Sequence, residues 1–246
     1  MNYLDIKKIY DKYQPYHESF FENMLIKFNC ESNGIEGNSL TYNETKVLIE
    51  TGIASGSKPF NDYVEVLNHK YAIDIMLHFI EYRAALTEQM IFDFNKTLLK
   101  NTKHENQSGQ YRKVPVSIGM DKEIASPPYL ISKNMEDLFA WYRQNDNMDL
   151  VEKISIFHVR FERIHPFIDG NGRTGRLILN YELMKEGYPP LILERTQRRE
   201  YYDALGAASY SSIIGFIKAS LINSMKYILE SHLKNIGFEL EIKNIE

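Results

Sequence analysis

The chain has 246 residues, of which 43% are hydrophobic and 25% are charged, and its formal net charge is −4. This balance is typical of a globular protein, and the weakly acidic charge gives no reason to expect nucleic-acid binding. No apolar run is long enough to span a membrane, the N-terminus lacks the apolar segment of a signal peptide, and the single cysteine, Cys30, excludes an internal disulfide. We therefore expect a soluble, cytoplasmic protein.

Helical spacing dominates the first hundred residues. A short N-terminal helix is followed by a longer one over about residues 16–37. Thr41 and Glu44 have the spacing of a capping box, which predicts the start of a third helix, and Gly52 is placed to end it. Two more helices are expected after the loop that follows Gly52, and Thr87 is placed to cap the second of them.

The period of the apolar residues changes in the segment 109–128. Apolar side chains alternate with other residues at Val114, Val116 and Ile118. Alternation of this kind predicts a β-hairpin or an edge strand. Helical spacing returns from Ser132 and continues to residue 164. Because the sequence contains no internal repeat and no linker, we expect one mostly α-helical domain over residues 1–246.

The most unusual stretch, residues 165–176, reads His-Pro-Phe-Ile-Asp-Gly-Asn-Gly-Arg-Thr-Gly-Arg. Gly170 and Gly172 allow positive φ, so the backbone N–H groups around Asn171 can turn inward as an anion-binding nest. A helix is predicted to begin at about Arg173. Its N-terminus would direct unpaired N–H donors and a partial positive charge at the same anion.

Charged and titratable side chains complete a candidate site for a nucleoside triphosphate. Arg173 and Arg176 are three residues apart, so on a helix they share a face and can hold two phosphates. Asp169 is a lone carboxylate beside this phosphate cradle, which is how proteins usually hold Mg²⁺. His165 titrates near neutral pH, so it can accept a proton from a hydroxyl group.

Other kinds of site fit parts of the same stretch. Gly170, Gly172 and Gly175 have the spacing of a dinucleotide-binding loop, but that loop must follow a strand and the preceding residues have helical spacing. His165 and Asp169 are four residues apart, as ligands of a transition metal can be, although a proline interrupts the helix between them. A glycine-rich loop with solvated arginines is the third interpretation.

The pattern His-Pro-Phe-x-Asp-Gly-Asn-Gly-Arg-x-x-Arg over residues 165–176 resembles the signature of the Fic family. The resemblance extends over roughly residues 30–220, where residues 109–128 resemble the family's target-binding flap and residues 199–205 its following helix. It implies a mostly α-helical bundle with one β-hairpin flap and a catalytic core over about residues 85–220. The implied activity is transfer of AMP from ATP to a protein hydroxyl.

The resemblance also implies a role for each site residue. His165 is expected to be the general base that deprotonates a Ser, Thr or Tyr of the target protein. Asp169 is expected to hold Mg²⁺, or Mn²⁺, beside the ATP phosphates, and Phe167 to point into the core. The expected nucleotide-binding residues are Gly170, Asn171, Gly172, Arg173, Thr174, Gly175, Arg176 and Tyr202. The flap residues expected to contact the target are Val114, Val116 and Ile118.

The chain departs from the family pattern outside this loop. Asn95 stands where the family usually has a histidine, and Ser209 with the pair Ser211-Ser212 stands where the family has Asn and Asp after Tyr201-Tyr202. The same fold also accommodates related activities, namely removal of AMP from a target or transfer of another group from a diphosphate donor. A non-catalytic protein-binding regulator is a further alternative.

Residues 32–38 resemble the inhibitory motif of the family, Ser-x-x-x-Glu-Gly-Asn. Ser32 and Glu36 are four residues apart and would share one helical face. The resemblance implies that Glu36 pairs with Arg176 and excludes the γ-phosphate, whereas the alternative is an exposed helix end. One charge-assisted contact contributes about 1.5–3 kcal/mol, but almost complete inhibition needs about 5.5 kcal/mol. Packing of the N-terminal helices, residues 1–52, or a homo-oligomer contact must therefore add to it.

Overall fold

The computed structural model describes residues 3–13, 18–54, 56–118 and 123–235. Within these ranges it contains ten α-helices: α1 (Tyr3–Tyr13), α2 (Glu18–Ile35), α3 (Tyr42–Thr51), α4 (Phe60–Glu81), α5 (Glu88–Leu98), α6 (Ile131–Gln144), α7 (Leu150–Ile164), α8 (Asn171–Lys185), α9 (Arg198–Gly206) and α10 (Tyr210–Asn235). Two short strands, β1 (Ser117–Ile118) and β2 (Glu123–Ile124), pair antiparallel with Ser117 opposite Ile124. The prediction of a mostly α-helical fold with one hairpin is confirmed. In the described ranges, no helix has the length and apolar character needed to cross a membrane.

Local sequence signals set several helix ends. The Thr41 side chain accepts the backbone N–H of Glu44, and the Glu44 carboxylate accepts the backbone N–H of Thr41 at 2.8 Å, which together form the predicted capping box. Gly52 ends α3 with a left-handed φ of 73°. Thr87 caps α5 by accepting the N–H of Met90 at 3.2 Å. These predictions are confirmed because each depends only on neighbours in the chain.

The flap is less regular than the alternation of apolar residues predicts. Among the described residues of the flap, only 117–118 and 123–124 form a ladder, and residues 110–116 run as bends and coil, so the strand prediction for this part is wrong. Pro115 cannot donate a hydrogen bond to a ladder, which explains why pairing begins after it. Residues 119–122 of the predicted flap, like residues 16–17 of the predicted second helix, lie outside the described residues.

Helix α8 lies at the centre of the bundle. It packs against α7, α4, α5 and α2, and almost all of its side chains are buried. A helix that is buried on every side is a core helix, so its position is fixed by several neighbours at once. The loop between α7 and α8 is held at both ends by these packed helices. It contains the first part of the unusual stretch 165–176.

The side chain of Phe167 anchors that loop to the core. It is fully buried, and its ring lies within 6.3 Å, centroid to centroid, of the rings of Phe92, Tyr111 and Phe161. The prediction that Phe167 points into the core is confirmed. Because the ring fills space between α5, α7 and the start of the flap, it holds these elements together at the loop.

Replacing Phe167 by Ala should therefore lower the free energy of unfolding by about 3–5 kcal/mol, the usual cost of removing a buried aromatic ring. Phe60→Ala is the matched control, because Phe60 is 77% exposed and its loss should cost less than about 0.5 kcal/mol. Urea denaturation followed by circular dichroism measures both. Similar losses in the two variants would contradict the anchoring role of Phe167.

Candidate active site

His165 stands immediately after α7, at the start of the loop. Its backbone is left-handed, with a φ of 52°, and its N–H donates to the carbonyl of Phe161 at 2.9 Å. The ring Nδ1 lies 3.1 Å from the carbonyl oxygen of Glu162. Because a carbonyl oxygen only accepts, Nδ1 carries the proton and Nε2 keeps its lone pair. Burial lowers the pKa of His165 below its usual value, so the imidazole is neutral at neutral pH.

Two asparagine side chains brace the loop. The amide of Asn171 accepts the N–H of Phe167 at 2.8 Å and donates to the carbonyl of the same residue at 2.9 Å. Asn95, on α5, donates to the carbonyl of Asp169 at 2.9 Å and accepts the N–H of Gly109 at 3.0 Å. Asn95 thus holds the loop against α5 and the start of the flap.

Helix α8 begins at Asn171, two residues before the predicted start at Arg173. Gly170 has the predicted positive φ, at 76°, but Gly172 is already helical and does not. The predicted nest is therefore wrong at Gly172. The first turn of α8 takes its place, because the first N–H groups of a helix lack intrahelical partners and lie at the positive end of its dipole.

Because Gly172 has no side chain, the carboxylate of Glu36 can approach the backbone of α8 closely. A Cβ there would overlap Oε1 of Glu36 and lie 3.0 Å from Nη1 of Arg176. The carboxylate of Glu36 therefore lies directly over the first turn of α8, in the position that an anion would take.

Arg176 makes the predicted contact with Glu36. Its side chain is 2% exposed, and its Nη2 donates to Oε1 of Glu36 at 2.6 Å. Nη2 also donates to the carbonyl of Ser32 at 2.8 Å, and Nε donates to the Ser32 hydroxyl at 3.0 Å. Ser32, in the last turn of α2, and Glu36, directly after its end, thus both bind one guanidinium.

Electrostatics show that this is a charged pair. Burial alone would raise the pKa of Glu36 and lower the pKa of Arg176. The opposite shifts occur, because each charge faces the other: the pKa of Glu36 lies below its usual value and the pKa of Arg176 lies above. Both groups therefore stay ionised at neutral pH, so that a carboxylate occupies the anion position of the loop.

Arg173 lies between two other carboxylates. Its Nη1 is 3.3 Å from Oε1 of Glu65, on α4, and its Nη2 is 3.7 Å from Oδ1 of Asp169. Glu65 is 108 positions from Arg173, and no local pattern in the sequence predicts this contact. Both arginines of the motif thus face a carboxylate from another part of the chain, Arg176 that of Glu36 and Arg173 that of Glu65 on α4.

Asp169 supplies a single carboxylate for a metal ion. Its side chain is 43% exposed, and Oδ1 accepts the N–H of Gly170 at 2.7 Å. Among the residues that the structure describes, no three His, Cys, Asp or Glu side chains form a metal-binding cluster. One accessible carboxylate beside an anion site fits Mg²⁺, which prefers one or two carboxylates together with substrate phosphates and water.

Two other residues of the loop face the protein interior. Thr174 is fully buried, and a Cβ at Gly175 would lie 2.8 Å from the ring of His158 on α7. Close packing of α7 on α8 therefore explains the glycine at position 175.

Tyr201 is buried with its hydroxyl 2.6 Å from Nε2 of His158, whereas Tyr202 is half-buried under the guanidinium of Arg198, 5.5 Å from the ring.

Arg112 connects the flap to the loop. Its backbone N–H donates to the carbonyl of Pro166 at 2.9 Å, and its guanidinium donates to the carbonyls of His165 at 2.8 Å and Ser126 at 2.6 Å. Val114 is 47% exposed, whereas the other two predicted target-contacting residues, Val116 and Ile118, are half-buried. Arg112 thus fixes the described start of the flap beside His165.

Sequence comparison relates this site to a known family. A model of the Fic/DOC family matches residues 85–183. The protein adenylyltransferase Fic of Nematostella vectensis is 30% identical over 204 residues, which are 82% of this chain and 46% of that protein. The protein of the same name from Drosophila grimshawi is 29% identical over 203 residues, 82% of this chain and 40% of its own length. The chain spans less than half the length of these relatives.

Solved structures show the same fold over almost the whole chain. A Fic-domain signalling protein from Bacteroides thetaiotaomicron superposes with a TM-score of 0.85 at 25% identity, over 94% of this chain and 97% of that one. A Fic family protein from Desulfovibrio desulfuricans superposes with a TM-score of 0.81 at 25% identity, over 94% of this chain and 73% of that one. Residues 85–183 thus form a Fic/DOC-family domain, and the chain as a whole has the fold of Fic-domain proteins.

Proposed function

We propose that the chain is a protein adenylyltransferase, which transfers AMP from ATP to a Ser, Thr or Tyr hydroxyl of a target protein and of itself. The observation that carries this proposal is the arrangement around His165. Its Nε2 keeps a lone pair for a hydroxyl proton, and the loop leads directly into a helix N-terminus with two buried arginines. The names of the two relatives support the same activity.

In this mechanism Nε2 of His165 takes the proton of the target hydroxyl while the hydroxyl oxygen bonds to the α-phosphorus of ATP. The bond between the α-phosphorus and the bridging oxygen breaks, and pyrophosphate leaves. The N–H groups of the first turn of α8, over Gly170 to Gly172, hold the phosphate oxygens together with Arg173 and Arg176. Asp169 would hold Mg²⁺, which supplies neutralisation of the phosphate charge.

The remaining assignments belong to the same proposal. Thr174 and Gly175 act through the packing of α8, and Tyr202 is the tyrosine that remains accessible for the nucleotide base. The flap residues Val114, Val116 and Ile118 receive the segment of the target that carries the hydroxyl. The single domain over residues 1–246 works in the cytoplasm, a reducing compartment that suits the one buried thiol, Cys30.

We propose further that Glu36 inhibits the resting protein. Its carboxylate occupies the anion position over Gly172 and uses Nη2 of Arg176, a donor that the γ-phosphate of ATP would need. Ser32 holds the same guanidinium from one turn earlier on α2. ATP can then bind productively only when α2 withdraws Glu36 from Arg176.

Labelling with ATP that is radioactive at the α-phosphate tests whether His165 is the general base. Glu36→Gly should label itself at least about tenfold more than the unmodified chain, because about 1.4 kcal/mol or more of charge-assisted contact is removed. Adding His165→Ala should abolish this labelling and leave ATP affinity nearly unchanged by calorimetry, since His165 handles the proton and not the phosphates. Equal labelling with and without His165 would exclude it as the base. No labelled protein with any variant or target would exclude the transferase.

The metal requirement is a separate prediction. Labelling by the Glu36→Gly protein should need Mg²⁺ or Mn²⁺ and should fail when Asp169→Ala is added, because the phosphate charge is then no longer neutralised. Asp74→Ala is the matched control, since Asp74 is a similarly exposed carboxylate on α4 away from the loop. Undiminished labelling in excess chelator would contradict the assignment of Asp169.

A further inference from the structure

Arg173 lies between two carboxylates, and one of them, that of Asp169, is the proposed ligand of the divalent cation. The side chain is 4% exposed, and its separations from Glu65 and Asp169, 3.3 and 3.7 Å, are both longer than the 2.7–2.9 Å of a close charge-assisted bond. Within the described part of the chain, neither Nε nor Nη1 of Arg173 makes a hydrogen bond. The guanidinium is therefore shared between the two carboxylates and committed to neither.

Glu65 is held in this position from its other side. Its Oε2 accepts a hydrogen bond from the side-chain amide of Asn38 at 3.0 Å, while Oε1 faces Arg173. Asn38 itself donates to the carbonyl of Asp62 at 2.9 Å and accepts the N–H of Leu40 at 3.1 Å, so its amide is fixed. The carboxylate of Glu65 is thus oriented by the last residue of the Ser-x-x-x-Glu-Gly-Asn motif.

Asp169 competes with Glu65 for the same guanidinium. Asp169 and Arg173 are four residues apart across the start of α8, so they can form a close pair without any other residue. The third nearby carboxylate, Glu36, is occupied by Arg176. If Glu65 lost its charge, Asp169 would be the stronger partner of Arg173, and a carboxylate bound to a guanidinium is a poor ligand for a cation.

We propose that Glu65 is a positioning residue that draws Arg173 away from Asp169 and so keeps the Asp169 carboxylate available to a divalent cation. Asn38 contributes by orienting Glu65. This inference rests on the proposed function, because it assumes that the cation arrives with the phosphates of ATP. The affinity for the cation can nevertheless be measured without any transfer of AMP.

The test measures Mn²⁺ binding by electron paramagnetic resonance in the presence of a non-hydrolysable ATP analogue. All variants carry Glu36→Gly, so that the anion position is free. Adding Glu65→Gln should raise the apparent Kd for Mn²⁺ by about five- to tenfold, the effect of one partly buried charge pair. Asn38→Ala should act in the same direction, and Glu81→Gln, on the exposed end of α4, should have no effect.

A second background separates the role of Arg173 from direct attraction between Glu65 and the cation. With Arg173→Met present, Glu65→Gln should no longer change the Kd, because the residue through which it acts is absent. The same five- to tenfold loss in both backgrounds would overturn the proposal, as would an unchanged or tighter Kd in the first. Mn²⁺ binding that survives Asp169→Ala would also overturn it. If binding behaves as expected but no protein is ever labelled, the proposed function fails and the role of Glu65 stands.

Discussion

One buried guanidinium, that of Arg176, organises the functional end of this molecule. A charge that is taken out of water costs several kcal/mol unless an opposite charge and hydrogen bonds compensate for it. Arg176 is 2% exposed at the centre of the bundle, so an anion must face it at all times. Glu36 is that anion here, and Ser32 accepts further hydrogen bonds from Nε and Nη2 of the same guanidinium. We infer that activation exchanges this carboxylate for a phosphate and that the guanidinium stays in place.

Packing of α2 against its neighbours holds Glu36 in place in addition to its ion pair with Arg176. Met24, Phe28 and Ile35 are buried on the inner face of the helix. Arg195, which follows α8 in the chain, passes beside Gly34 and donates to the carbonyls of Cys30 at 2.7 Å and Leu40 at 3.0 Å. These contacts lie within one chain, and they hold the helix that carries Glu36. They fix the end of α2, which Glu36 directly follows, beside Arg176.

Local patterns in the sequence predict much of this structure, but contacts between distant residues escape them. The capping box at Thr41 and the pattern over residues 165–176 each lie in one continuous stretch of sequence, so both are recognisable without the structure. The strand predicted over residues 110–116 failed because alternation does not supply a pairing partner. The contact of Glu65 with Arg173 was missed because nothing near Glu65 in the chain marks it. The glycine pattern predicts a positive φ at Gly172, whereas this residue is helical and the carboxylate of Glu36 takes the space beside it.

The most direct measurement compares the effect of removing Glu36 in two backgrounds. Self-labelling with α-labelled ATP is measured for Glu36→Gly with Arg176 intact and again with Arg176→Ala. If the carboxylate inhibits by occupying this guanidinium, the first comparison gives a rise of at least about tenfold and the second gives little change, because the contested partner is absent. An equal rise in both backgrounds would contradict this mechanism and show that Glu36 acts elsewhere. No rise in either would contradict inhibition by residues 32–38 altogether.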